Sequence, residues 1–229
     1  MPVHTQADGP VGIVTIDRPE RANAYDGPLL DALEEAMTAM AAASGVVVLR
    51  SAGTGAFCAG ADRDALRAAA WGDALELRSQ RVFTAIARLP IVTVAAVQGA
   101  AVGGGFELAL ACDLRVVGPS ARFWLPETRM GLLPSAGGTT RLARLTSPSI
   151  AKAVILGGHV IDAPTALQWG VAHRVVDDPL AAALAWAREI AARDPYALAR
   201  AKERIDADEP DASLLAERVI EAGLYHRRG

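Results

Sequence analysis

The sequence predicts an α/β fold. Residues 46–49 and 91–97 are apolar runs without polar alternation, the pattern of strands buried on both faces. Segments between such runs carry apolar residues at helical spacing, and two glycine-rich turns each join a buried strand to a helix, as layered α/β folds require.

In chain order, residues 11–16 form a β-branched run that stops at Asp17-Arg18-Pro19, which reads as a strand. From Pro28 the period changes: Leu30, Leu33, Met37 and Met40 share one helical face, and Gly45 closes the helix. The strand at 46–49 runs into a glycine-rich loop over 51–62. A helix is predicted over 63–89, with Val82, Ile86 and Leu89 on its apolar face and Pro90 as its stop. The strand at 91–97 leads through Gly99 to Gly103-Gly104-Gly105, then to a helix over 106–112 and a third strand over 114–117. Beyond Gly137 the pattern predicts helix alone, over 141–145, 148–156, 164–169, 179–193, 195–207 and from 212 to the end. The expected organisation is an α/β core over 1–140 and a helical segment over 141–229.

Composition bounds the function. The chain has 229 residues, 52% of them apolar, and 23 Lys+Arg stand against 26 Asp+Glu. A chain of this length buries roughly 70% of its unfolded surface and needs no disulfide or metal to hold a core. With only Cys58 and Cys112, disulfide frameworks and cysteine metal spacings are absent, and a reducing, cytoplasmic location is expected. The slightly acidic balance, with no clustered basic face, argues against nucleic-acid binding. The N-terminal residues carry no secretory leader, and the longest uncharged apolar stretch in a helical region, 179–187, is far short of a membrane span. Lys152 and Lys202 are the only lysines, so an anion site must use arginine or backbone N–H groups.

The two glycine-rich turns, Ala59-Gly60-Ala61-Asp62 and Gly103-Gly104-Gly105, allow backbone to approach a ligand closely and leave N–H groups unpaired at a helix start. Two such donors converging on one oxygen make an oxyanion hole; tight packing is the plainer explanation of either turn alone. Neither turn fits a dinucleotide or phosphate-loop fingerprint. Glu107 lies in the first turn of its helix, where the dipole alone accounts for a carboxylate. Glu127 follows Phe123-Trp124-Leu125-Pro126 in an apolar, loop-like context. Two carboxylates bracketing a small volume suit acid/base work, because burial and mutual repulsion raise one pKa, but spacing does not show that these two meet. His4, His159, His173 and His226 are scattered and read as solvent or structural residues. Asp113 reads as a turn or cap residue.

The segment Val97-Gln-Gly99-Ala-Ala-Val-Gly103-Gly-Gly105-Phe-Glu107-Leu-Ala-Leu-Ala-Cys-Asp113 resembles the central signature of the crotonase superfamily, most closely enoyl-CoA hydratases. Arg18-Pro19 with Asn23-Ala24, Phe57-Cys-Ala-Gly-Ala-Asp62, and Phe123-Trp-Leu-Pro-Glu127 leading to Pro134-Ser-Ala-Gly-Gly follow in the same order. The resemblance implies a ββα spiral core and a lyase that adds water across the C2–C3 bond of a trans-2-enoyl-CoA in fatty-acid β-oxidation. It implies Glu107 and Glu127 as catalytic residues and the N–H groups of Ala61 and Gly104 as the oxyanion hole. Coenzyme A, part of the substrate rather than a separate cofactor, would lie along Arg21, Ala22, Ala59, Gly60, Asp62 and Arg63, with Arg21 meeting phosphate. A homotrimer or dimer of trimers is implied, with no metal, membrane or nucleic-acid partner.

This chain departs from the family pattern at three places. Ser135 replaces a glycine beside the second glutamate, Trp124 replaces a glycine and is expected to narrow the acyl site, and the chain stops at Tyr225-His-Arg-Arg-Gly229, where relatives continue into a helical segment. Two alternatives therefore stand beside hydration: an isomerase or other enolate-forming enzyme of the superfamily, and a non-catalytic acyl-CoA-binding accessory protein.

Overall fold

Strand β3 (Val46–Ser51) lies between β2 (Val11–Ile16) and β5 (Val92–Val97) and runs parallel to both. Its Val47 and Leu49 enter one apolar core while Val46 and Val48 enter the other, all fully buried. Two-sided burial is why the run shows no polar alternation. The structure, a computed structural model, describes residues 2–68 and 77–207.

The larger sheet has six strands in the order β1-β2-β3-β5-β7-β10. β1 (Val3–Asp8) pairs antiparallel with β2 at one edge; β7 (Leu114–Val117) and β10 (Arg174–Val175) continue the parallel part at the other. A four-stranded sheet holds β4 (Ala56–Cys58), β6 (Ala100–Val102), β8 (Arg122–Trp124) and β9 (Ile161–Asp162), with β9 antiparallel to β8 and the rest parallel. The chain passes from the large sheet to the small one three times, β3 to β4, β5 to β6 and β7 to β8, with helical segments after each passage. This is the α/β fold the sequence predicts, wound as a ββα spiral.

The helices obey local rules legible in sequence. Helix α1 (Gly27–Ala43) starts at Asp26, whose carboxylate accepts from the Leu29 N–H at 3.0 Å, and buries Leu29, Leu30, Leu33, Ala36 and Met37. The same device of a capping side chain followed within two residues by proline starts α6 (Pro148–Ile155) at Ser147, α7 (Ala163–Gln168) at Asp162, α8 (Pro179–Ala191) at Asp178 and α9 (Pro195–Asp206) at Asp194. Ala183, Ala187 and Ile190 of α8 cover the second face of the large sheet.

Several expectations are corrected. Residues after Gly137 are not helix alone, since β9 completes the small sheet and β10 the large one. Two-residue strands carry too few side chains for a period to register. The helix expected over 63–89 is described as α2 (Arg63–Ala68) and α3 (Arg78–Ala87), with 69–76 outside the described residues; so are the helix expected from 212 onward, His226 and the end of the chain. Asp113 is more than a turn residue: its Oδ2 accepts from the Thr93 N–H and hydroxyl at 2.7 and 2.9 Å and from Lys202 Nζ at 2.9 Å, tying α9 to β5.

Helix α4 (Gly104–Ala111) is buried on every side, and α5 (Gly138–Leu145) packs against it. The carbonyls near its C-terminus have no solvent to meet. Arg115, 2% exposed, meets them instead: Nη1 donates to Ala109 O at 3.2 Å and Cys112 O at 2.6 Å, while Nε donates to Val171 O at 2.6 Å. Arg115→Ala orphans these buried acceptors and is expected to lower the unfolding free energy by about 3 kcal/mol or more. Urea denaturation measures this, and a loss below about 1 kcal/mol would contradict the assigned role.

Candidate active site

The turn after β4 and the start of α4 touch backbone to backbone. Gly60 has φ +89°, and a Cβ there would lie 2.8 Å from Val102 O and 3.3 Å from Gly104 N; a Cβ on Gly105 would fall on the Cys58 carbonyl. Tyr25 holds the first turn from the far side, its N–H donating to Gly60 O at 2.9 Å and its carbonyl accepting from Asp62 N at 2.7 Å. Because those bonds use the residues on either side of Ala61, the N–H of Ala61 faces away from Tyr25. Ala61 and Gly104 both line a cavity of about 500 Å³.

Glu107 and Glu127 line the same cavity. Glu107 is 3% exposed, and its Oε1 accepts the Ala136 N–H at 2.8 Å and the Gly138 N–H at 2.7 Å. Burial raises its pKa, and the two N–H groups and Arg141 oppose that rise by favouring the ionised form. Glu127 opens a 3-10 turn, Glu127–Met130, over which Pro126 leads the chain away from β8. Its Oε1 sits against Gly103, where a Cβ would come within 2.7 Å, and its buried Oε2 has no hydrogen-bond partner among the described residues. Burial, with the neighbouring charge of Glu107 adding to it, pushes its pKa up to about 7. The cavity thus holds two carboxyls that burial shifts upward, one of them with N–H donors that favour its ionised form and the other poised to carry a proton near neutral pH.

Of the remaining sequence-predicted residues, Ala59, Gly60 and Ser135 line the cavity. The Ser135 carbonyl accepts from Gln80 Nε2 at 2.6 Å, which pins the loop that presents Ala136 and Gly138 to Glu107. Arg21, Ala22, Asp62, Arg63 and Trp124 are not among the cavity-lining residues. Arg21 is exposed and pairs with Asp64 at 3.3 Å, Ala22 accepts from the Ala59 N–H at 3.1 Å, and Arg63 begins α2 on the surface. The Asp62 side chain is engaged by Arg18 at 3.2 Å and by the Asp64 N–H at 2.9 Å. Trp124 does not narrow the described cavity; its carbonyl accepts from Gly103 N at 2.9 Å as part of the β6–β8 edge.

Sequence reasoning missed Tyr25, whose ring and backbone both reach the site, and Arg115, which supports α4 from behind. The signal for Tyr25 was a lone aromatic after Asn23-Ala24, directly before a helix cap. Among the described residues no group of three or more His, Cys, Asp or Glu is placed to hold a metal ion, and no helix is long and apolar enough to cross a membrane.

A model of the enoyl-CoA hydratase/isomerase family matches residues 6–228. The chain belongs to that family. It is 40% identical over 199 residues to an Arabidopsis thaliana protein named "Probable enoyl-CoA hydratase 2, mitochondrial", a match that spans 84% of this chain and 66% of the relative. It is 35% identical over 224 residues to the methylglutaconyl-CoA hydratase of Mus musculus, covering 93% of this chain and 71% of that one. The crystal structure of an enoyl-CoA hydratase from Bacillus anthracis superposes with a TM-score of 0.94 at 32% identity, over 99% of this chain and 92% of that one. The crotonase fold is therefore shared across most of the family member's length.

The Glu127 shift has a consequence for stability. Its pKa rises from 4.5 to about 7, so the native state holds this proton more tightly than the unfolded chain. The stabilisation is fully present below pH 4.5 and is lost as pH rises through about 7. Chemical denaturation across that window is expected to show the decline in the wild type and a flatter profile in Glu127→Gln; parallel profiles would place the pKa of Glu127 at its ordinary value.

Proposed function

We propose that the protein adds water across the C2–C3 double bond of a trans-2-enoyl-CoA. The observation that carries this reading is the meeting of Glu107 and Glu127 in one cavity with the glycine-rich turns of Ala61 and Gly104. An α,β-unsaturated thioester accepts a nucleophile at C3 only if the negative charge arriving at its carbonyl oxygen is stabilised. The N–H groups of Ala61 and Gly104 fill that role, the second helped by the positive end of the α4 dipole. Glu107 takes a proton from water as the water oxygen bonds to C3, and the π electrons move onto the thioester oxygen. Glu127 then delivers its proton to C2 as the enolate collapses. A proton returns from Glu107 to Glu127 by way of solvent, so no atom is lost or gained beyond the added water.

An isomerase needs one base that moves one proton, so two carboxyls in one cavity favour hydration. The catalytic chemistry calls for no cofactor beyond the coenzyme A carried by the substrate. Arg21, at the surface beside the loop of Ala22 and Ala59, is the proposed phosphate contact, as expected of a chain with two lysines. A homotrimer or dimer of trimers, a cytoplasmic setting and a place in β-oxidation belong to the same reading, supported by family membership and composition.

Incubation with crotonyl-CoA and longer enoyl-CoAs is expected to bleach the conjugated-thioester absorbance. Glu107→Gln and Glu127→Gln are each expected to lower kcat by about 100- to 10,000-fold, the usual range for a general acid or base. Absence of turnover above buffer at every chain length would overturn the reading, as would wild-type rates in either variant.

A further inference from the structure

Tyr25 lies outside the proposed acid/base pair yet sits at the centre of the site. It is 7% exposed, it lines the cavity, and its ring is held edge-on to Phe83 at 5.6 Å and 89°. Its backbone brackets Ala61, as described above. Its hydroxyl occupies the place that a Cβ on Gly104 would take, so residue 104 has to be glycine.

The direction of that contact matters. In a helix every Cα–Cβ bond tilts toward the N-terminus. A group standing where the Gly104 Cβ would be therefore stands beside the first turn of α4, displaced toward its N-terminal end, where unpaired N–H groups and the positive end of the dipole favour negative charge. Ser79 of α3 lines the same cavity. Burial, together with the nearby Cys58, Glu107 and Glu127, drives the phenol pKa far up, so the group stays a neutral donor across the working pH range.

We propose that the Tyr25 hydroxyl is a third hydrogen-bond donor to the thioester oxygen, alongside the N–H groups of Ala61 and Gly104. This rests on the hydratase reading for its substrate class. The ring brings the donor on a stiff arm, and the same residue's backbone sets the angle of Ala61, so one side chain couples both halves of the oxyanion site. The neutral phenol adds no charge that would compete with Glu127 for its proton, and it donates only when an electron-rich oxygen arrives.

Tyr25→Phe keeps the ring and its contact with Phe83 while removing the donor. Two readouts are measured on the whole chain: kcat and KM for crotonyl-CoA, and the absorbance red shift of bound cinnamoyl-CoA, which reports how strongly its carbonyl is polarised. The variant is expected to lose about 10-fold or more in kcat, with KM within about twofold, since one oxyanion donor typically contributes a factor of this order or larger. The bound-ligand red shift is expected to shrink in parallel. A fluorinated tyrosine incorporated at position 25 strengthens the donor without removing it and is expected to enlarge the red shift. Full red shift in Tyr25→Phe overturns the proposal, whether or not kcat falls, because a residue that only fills space beside Gly104 would leave the carbonyl polarisation unchanged; an unaltered shift in the fluorinated protein does the same. A wild type that polarises cinnamoyl-CoA but does not hydrate crotonyl-CoA would overturn the hydratase reading alone, and the red-shift comparison would still decide the role of Tyr25.

Discussion

The contact between the turn after β4 and the start of α4 is the constraint on which the site depends. Gly60 approaches Val102 O and Gly104 N, and Gly105 approaches the Cys58 carbonyl, at separations that admit no side chain. Backbone packed on backbone places Ala61 and Gly104 on one cavity wall, one from a strand edge and one from a helix start. Any methyl group at these contacts would push the turn after β4 away from β6 and the start of α4. The spiral and the site are therefore one geometric solution: each passage from the large sheet to the small one delivers the chain to the same cleft.

Helix α4 shows what that placement demands elsewhere. A helix surrounded by protein cannot use water at its ends. At its N-terminus the free N–H groups face the cavity, which makes them available to a ligand oxygen. At its C-terminus the carbonyls are met by Arg115, a buried charge whose own hydrogen-bonding demands are met by Ala109, Cys112 and Val171. The stability of the back of the helix lets the front stay unsatisfied. Glu107 repeats the pattern, with Oε1 engaged by Ala136 and Gly138 so that the carboxylate is positioned in a place that burial alone would penalise. Glu127 has no such partner at Oε2 among the described residues, and burial with the charge of Glu107 beside it raises its pKa.

Much of this was legible in the chain. The central strands β3 and β5 appeared as continuous apolar runs because both faces are buried, and α1 appeared as apolar residues at helical spacing after Pro28 because one face of it is buried. The small sheet was not legible, since strands of two or three residues give no period to read and are held by partners far away in sequence. Ala59, Gly60, Ala61, Gly104, Glu107, Glu127 and Ser135, singled out from motifs, do share one cavity. Asp62 and Trp124, singled out by the same motifs, do not line that cavity, because motif adjacency does not state which way a side chain points.

The sequence by itself determined the central strands of the large sheet, most of the helices and the glycine-rich turns, because burial periodicity and close-approach glycines are properties of neighbouring residues, and its motifs pointed to the family. Only the tertiary structure decided that two carboxyls 20 positions apart share one buried cavity with different hydrogen-bond partners, and that Tyr25 stands at the start of a helix some 80 positions away. The physical reason is that a pKa and a donor's target are set by what surrounds a group in space: its solvent access, its backbone partners and the charges beside it.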